Sequence, residues 1–101
     1  MIQISIEQVA NQSVKFQVDQ ELYEITIRTT SKATFFSLKR NNVEFISNEI
    51  LITNTFLIQA RYQATNGNFI FYSLSDILPS YKNFGVNQFF YYATLEELEN
   101  G

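Results

Sequence analysis

Apolar and polar side chains alternate residue by residue along much of this chain, a period of two that marks strands with one buried face. Ile2, Ile4 and Ile6 alternate with Gln3 and Ser5 at the start. After a polar break at Asn11-Gln12-Ser13, Val14, Phe16 and Val18 alternate with Lys15 and Gln17. Asp19-Gln20-Glu21 is a polar loop of hairpin length. Beyond it Tyr23, Ile25 and Ile27 face one way, with Glu24, Thr26 and Arg28 the other. Two such runs about a short loop predict an antiparallel hairpin. A second hairpin is predicted from Thr34–Lys39 through an Asn41-Asn42 turn into Val43–Ile46. Ser47-Asn48 then breaks the pattern. Residues 48–60 suit either a strand or a helical face. Their β-branched content (Ile50, Ile52, Thr53, Thr55, Ile58) favours strand with a turn near Asn54.

Residues 66–94 organise the rest, holding most of the Phe and Tyr, the single Pro and two of three glycines. Asn66-Gly67-Asn68 reads as a tight turn. In the strand after it Phe69, Phe71 and Ser73 face one way, Ile70, Tyr72 and Leu74 the other, so both faces are largely apolar. Asp76–Phe84 is a connection containing Pro79, and Gly85 permits a bend into the strand Asn87–Tyr92. There Phe89 and Tyr91 oppose Phe90 and Tyr92. The expected core is Ile4, Val14, Phe16, Val18, Tyr23, Ile25, Ile27, Phe36, Leu38, Phe69 and Phe71. One small core cannot fill both faces of both aromatic strands. Tyr72, Leu78, Pro79, Tyr81, Phe84, Gly85, Phe90 and Tyr92 are therefore expected at subunit contacts. Thr94 and Glu97 have capping-box spacing, with Leu95 and Leu98 on one face of a single helical turn. The fold class is all-β: a small antiparallel barrel or sandwich with a short C-terminal helical turn, one domain over residues 1–101.

Composition narrows the function mainly by exclusion. With no His and no Cys there is no imidazole base, thiolate ligand, Cys nucleophile or disulfide framework. No serine has the flanking glycines of a nucleophile elbow, and Gly67 and Gly85 lie too far apart for a phosphate-binding loop. Glu96, Glu97 and Glu99 read as a solvated helix end rather than a metal site. No catalytic residue, metal or cofactor is expected, and an enzyme is the least favoured class. Phe35, Phe69, Phe71, Phe89 and Tyr91 would suit a stacking platform for single-stranded nucleic acid. The net charge of −3 and one adjacent basic pair, Lys39-Arg40, argue against it. Aromatics serving as core and interface are the stronger reading. No apolar run is long enough to span a membrane, and the first residues lack a basic signal-peptide region. An adaptor or inhibitor domain and a carbohydrate-binding module share this composition.

Met1-Ile2-Gln3-Ile4, Asn11-Gln12-Ser13, Asp19-Gln20-Glu21-Leu22-Tyr23-Glu24-Ile25 and Arg28-Thr29-Thr30 follow in an order that resembles the cyanophage-type baseplate plug family of contractile-tailed phages. So do Gly67-Asn68-Phe69-Ile70-Phe71, a Pro-Tyr loop, Phe84-Gly85, an aromatic strand, and Thr94 before Glu97-Leu98. Residues 41–60 carry none of these anchors. The resemblance implies a structural virion protein in the baseplate hub or tail tip that helps to plug or line the distal end of the tail tube. The partners it implies are other hub, tube, spike or tape-measure proteins and copies of the chain in a threefold or sixfold ring, assembled in the host cytoplasm. A phage-encoded adaptor acting through aromatic contacts is the alternative.

Overall fold

A computed structural model describes residues 1–18, 20–58, 67–74, 78–94 and 96–97. Among the described residues seven strands follow in order: β1 Ile2–Ile4, β2 Asn11–Val18, β3 Glu21–Thr29, β4 Thr34–Arg40, β5 Val43–Ile50, β6 Gly67–Ser73 and β7 Gln88–Thr94, with a 3-10 turn at Tyr81–Asn83. They form a four-stranded sheet, β2-β3-β4-β5, and a three-stranded sheet, β1-β7-β6. Every pairing between these strands is antiparallel. The fold is all-β as expected, but the two sheets stay open, which removes the barrel alternative.

The first hairpin has an unbroken register from Asn11↔Arg28 to Val18↔Glu21, reversing where Gln20 takes φ 66°. The second turns on Asn41 and Asn42, at φ 52° and 68°. Two consecutive left-handed residues match the right-handed twist of the flanking strands, and Asn tolerates that region better than most side chains. The expected break at Ser47-Asn48 is instead an irregularity inside β5. Asn48 takes φ 51°, its N–H donates to Ser37 Oγ at 2.9 Å, and the strand continues to Ile50.

The core lies between the sheets. Tyr23, Ile25, Ile27, Phe36 and Leu38 of the larger sheet meet Ile4, Phe69, Phe71, Phe90 and Tyr92 of the smaller, all buried. Phe69 stacks on Phe90 with centroids 5.4 Å apart, and Tyr23 strikes the Phe69 ring edge-on at 5.0 Å. Val14, Phe16 and Val18, also expected in the core, are only half-buried because β2 is an edge strand flanked on one side. Ile46, Leu51, Leu57, Ile58 and Phe84 complete the interior among the described residues.

Residues 51–58 form a strap along the outer edge of β6. Asn54 N–H donates to Phe71 O at 2.8 Å and Leu57 N–H to Phe69 O at 2.9 Å. Two amides bond the backbone reciprocally. Asn54 accepts from Ser73 N–H at 3.0 Å and donates to Ser73 O at 3.4 Å. Asn68 accepts from Ile58 N–H and donates to Ile58 O, both at 2.9 Å. The expected turn near Asn54 is present, with φ 61° at that residue.

Gly67 does not serve the tight turn expected of it; it opens β6. A Cβ there would stand 2.2 Å from Ala93 O and 2.8 Å from the Tyr92 ring, so glycine is needed for close approach. Gly85, at φ +76°, does supply the expected bend. At the C-terminal end the capping box forms: Glu97 N–H donates to Thr94 Oγ1 at 3.2 Å, and Thr94 N–H to Glu97 Oε1 at 3.0 Å. Glu97 also pairs with the Met1 ammonium. Leu95 and Leu98 of the expected helical turn lie outside the described residues, as do Arg61-Tyr62-Gln63 and Asp76.

Candidate functional site

The two outer faces of the molecule differ in kind. On the larger sheet the register sets Lys15 opposite Glu24, Glu24 opposite Lys39, and Lys39 opposite Glu44. One pair closes, Lys39 Nζ to Glu24 Oε1 at 3.8 Å. Beside it the Ser13 and Thr26 hydroxyls meet at 2.8 Å. Opposite charges directly across strands each contribute modestly, and this part of the face is well suited to water. At the other end of the same face Arg28, Phe35 and Ile50 form a mixed row, with Ile50 58% exposed.

The outer face of the smaller sheet carries a different set. Gln3 lies opposite Tyr91, Tyr91 opposite Ile70, and Ile70 opposite Phe56 of the strap. Phe89 lies opposite Tyr72 in the next row. Directly opposed residues share a face, so these six side chains form an uncharged surface. Tyr91 packs on Tyr72 at 6.4 Å and on Phe89 at 6.3 Å. Tyr72 keeps 41% of its area exposed, Phe56 44% and Leu74 62%. Phe56 leads into a groove of about 250 Å³ shared with Ile50 and Ile52. Ile50 also lines an adjoining hollow of about 200 Å³ with Leu78 and Pro79. Glu49 also lines the first of these and Lys32, with Thr29, Thr30 and Ser31, the second, so charged and polar groups border the apolar side chains there.

A buried glutamine holds the connection that presents Leu78. Gln88, fully buried, accepts from Ser80 N–H at 2.9 Å and donates to Leu78 O at 3.0 Å. Its own carbonyl accepts from Gly85 N–H at 2.7 Å. Thr34 Oγ1 donates to Pro79 O at 3.3 Å and ties the loop to β4. Leu78 itself stays 84% exposed.

The expected contact residues therefore separate. Tyr72 is on the aromatic outer face, and Leu78, Pro79 and Gly85 are on the loop surface. Tyr81 is half-buried against the core. Phe84, Phe90 and Tyr92 are at most 1% exposed and belong to the protomer interior. The parity expected for β7 is reversed because the register pairs Phe71 with Phe90 and Tyr72 with Phe89. Nothing in the single-strand pattern could decide this, since both faces of β7 are aromatic. Phe56, Phe89 and Tyr91 share the outer face with Tyr72 but are not among the expected contact residues, and Ile50 lies opposite Phe35 on the larger sheet. The period-two alternation of Ile50 and Ile52 was a signal, but it left open which face was covered.

The structure offers no stacking platform of the expected composition. Phe69 and Phe71 are fully buried, and Phe35 lies on the other sheet. Among the described residues no three His, Cys, Asp or Glu side chains gather as a metal site would require. The strongest titration effect is structural: burial, reinforced by the 2.8 Å bond to Glu21 Oε2, pushes the Tyr23 hydroxyl up to about 12.

The described residues thus define an all-β protein of two open antiparallel sheets, with an aromatic outer face on the smaller one. The chain belongs to the cyanophage baseplate Pam3 plug gp18 family, whose sequence model matches residues 1–96. Membership supports a structural role in a phage baseplate, in association with other baseplate proteins and at that location in the virion. A structural family of this kind suggests a protein that is not an enzyme. No curated protein matches the sequence significantly.

Proposed function

We propose that this protein lies in the baseplate hub or tail tip as a homo-oligomer that plugs or lines the distal end of the tail tube. Its contact surface is the aromatic face of β1-β7-β6, with the strap and the Leu78–Gly85 loop at one end. The observation that supports this is the asymmetry between the faces: Tyr72, Phe89, Tyr91, Ile70 and Phe56 carry no charge where the opposite sheet alternates Lys and Glu. Water-facing sheets take the second pattern, and contact cores favour Tyr and Phe with few charges. Hub, tube, spike or tape-measure proteins are the expected neighbours. A ring of threefold or sixfold symmetry follows by analogy with tail hubs and tubes. Assembly precedes incorporation, in the host cytoplasm.

The test is a Tyr72→Ala, Tyr91→Ala double variant, with Leu78→Ala separately, followed into tail particles. Where such an aromatic is a hot spot, its truncation costs about 2 kcal/mol or more of association. The double variant is expected to fold yet be depleted from particles, and a reconstruction of the wild-type tail should show this face covered. Wild-type incorporation of the double variant overturns the surface assignment. A discrete one-to-one complex with a protein outside the tail identifies an adaptor instead.

A further inference from the structure

The edges of the two sheets are not treated alike. The strap 51–58 seals the outer edge of β6. Register shifts on either side of the Leu38↔Ile46 pair disrupt β5, as does left-handed Asn48, and irregularities of this kind blunt an edge against pairing. β2 has neither protection. It runs eight residues in unbroken register with β3, without Pro or Gly. At its start the Gln12 side chain bonds the backbone of Glu7 and Val9, so the preceding connection covers that end. From Ser13 onward, among the described residues, no backbone group pairs with its outer side.

The side chains of β2 point to the same vacancy. Val14 and Phe16 stay half-buried, although their partners across the ladder, Ile25 and Tyr23, are buried to within 1%. A groove of about 390 Å³ runs beside the strand, lined by Ser5, Ile6, Glu7, Gln12, Val14 and Lys15. Lys15 ends the row of alternating charges and makes no ion pair among the described residues.

We infer that the free edge of β2 takes up an extended segment of a neighbouring baseplate protein as a fifth strand, a reading that rests on the baseplate role proposed above. A row of unpaired N–H and C=O groups recognises extended backbone, and alternate side-chain sites give specificity. The segment places apolar side chains over Val14, Phe16 and Val18 and a carboxylate opposite Lys15, continuing the plus-minus order of the sheet. A second copy of this chain is a poorer occupant. Two-fold pairing of β2 about Lys15 sets like charges against each other, pairing about Ser13 sets Lys15 against the neutral Asn11 rather than a carboxylate, and the acid-bearing edge strand β5 is the disrupted one.

Hydrogen exchange tests this by comparing residues 11–18 in the purified chain and in wild-type tail particles. Those amides should exchange at least about tenfold more slowly in particles, because new ladder bonds must open first. Lys15→Gln should lower incorporation roughly fivefold or more at an unchanged melting temperature, and Lys15→Arg should restore it. Equal exchange in both states overturns the inference, as does wild-type incorporation of Lys15→Gln, or a reconstruction with β2 against β2 of another copy. Wild-type particles that contain the chain with β2 unprotected sink this inference alone. Particles that lack the chain sink the baseplate reading and this inference together.

Discussion

Tyr23 shows how one side chain couples the sheets and sets a pH limit. Its ring touches Phe16, Phe69 and Tyr92, while its hydroxyl donates to Glu21. Burial disfavours the phenolate first, and the nearby carboxylate adds to it, so the folded value is about 12 against an ordinary value of 10.0. The neutral phenol is thus favoured in the folded state. The stabilisation is fully present below the ordinary value and is lost as pH rises from there through the folded value. Alkaline titration of stability should therefore fall most steeply between those limits. Tyr23→Phe should flatten the fall in urea midpoints across that window, and an unchanged slope would assign the alkaline limit elsewhere. Gly67 sets a steric limit. Gly67→Ala drives a methyl into the Ala93 carbonyl and should cost about 1–3 kcal/mol, the range for overpacking. A denaturant midpoint equal to wild type would mean that β6 can shift away from β7 freely.

Among the elements, the strap depends most on polar contacts. Asn68 and Asn54 supply the donor and acceptor that a full strand would have supplied from its backbone. Asn68→Ala leaves the buried N–H and C=O of Ile58 without their partner, an expected loss of about 1–3 kcal/mol. Exchange at Leu57 and Ile58 should rise more than exchange in β3, and uniform acceleration would contradict a local role. This element was also the least legible in sequence. Residues 51–58 are held by side-chain amides whose partners lie on another strand, and no local periodicity records that. The first hairpin was legible through its register because alternation and loop length fix it together. β7 was legible as a strand but not in its facing, since aromatic residues on both sides erase the pattern that parity needs. The expected contact set inherits that error: Tyr72, Phe90 and Tyr92 were all expected outside, and only Tyr72 lies on the outer face.

At the scale of the whole molecule, the interior is well supplied with aromatic groups and one outer face is left over. Truncating the centre of the larger sheet, Ile25→Ala, should cost about 2–5 kcal/mol because the site is fully enclosed. The outer surfaces should respond oppositely to one kind of change. Ser37 lies among hydroxyls and alternating charges, so an added lysine there meets an environment already suited to water. Tyr72 lies among Tyr91, Phe89 and Leu74, where large apolar groups stay partly exposed. Contiguous exposed apolar surface of this kind drives association until something covers it. The isolated wild-type chain should accordingly show concentration-dependent association, read by sedimentation. Tyr72→Lys should weaken that association with little change in unfolding free energy, because the side chain lies outside the core. Ser37→Lys should leave association unchanged, although it removes the acceptor of the Asn48 N–H and so should lower unfolding free energy. If both lysines act alike, the effect is one of net charge and the aromatic face has no special part in assembly. If only Ser37→Lys acts, the contact surface lies on the charged sheet.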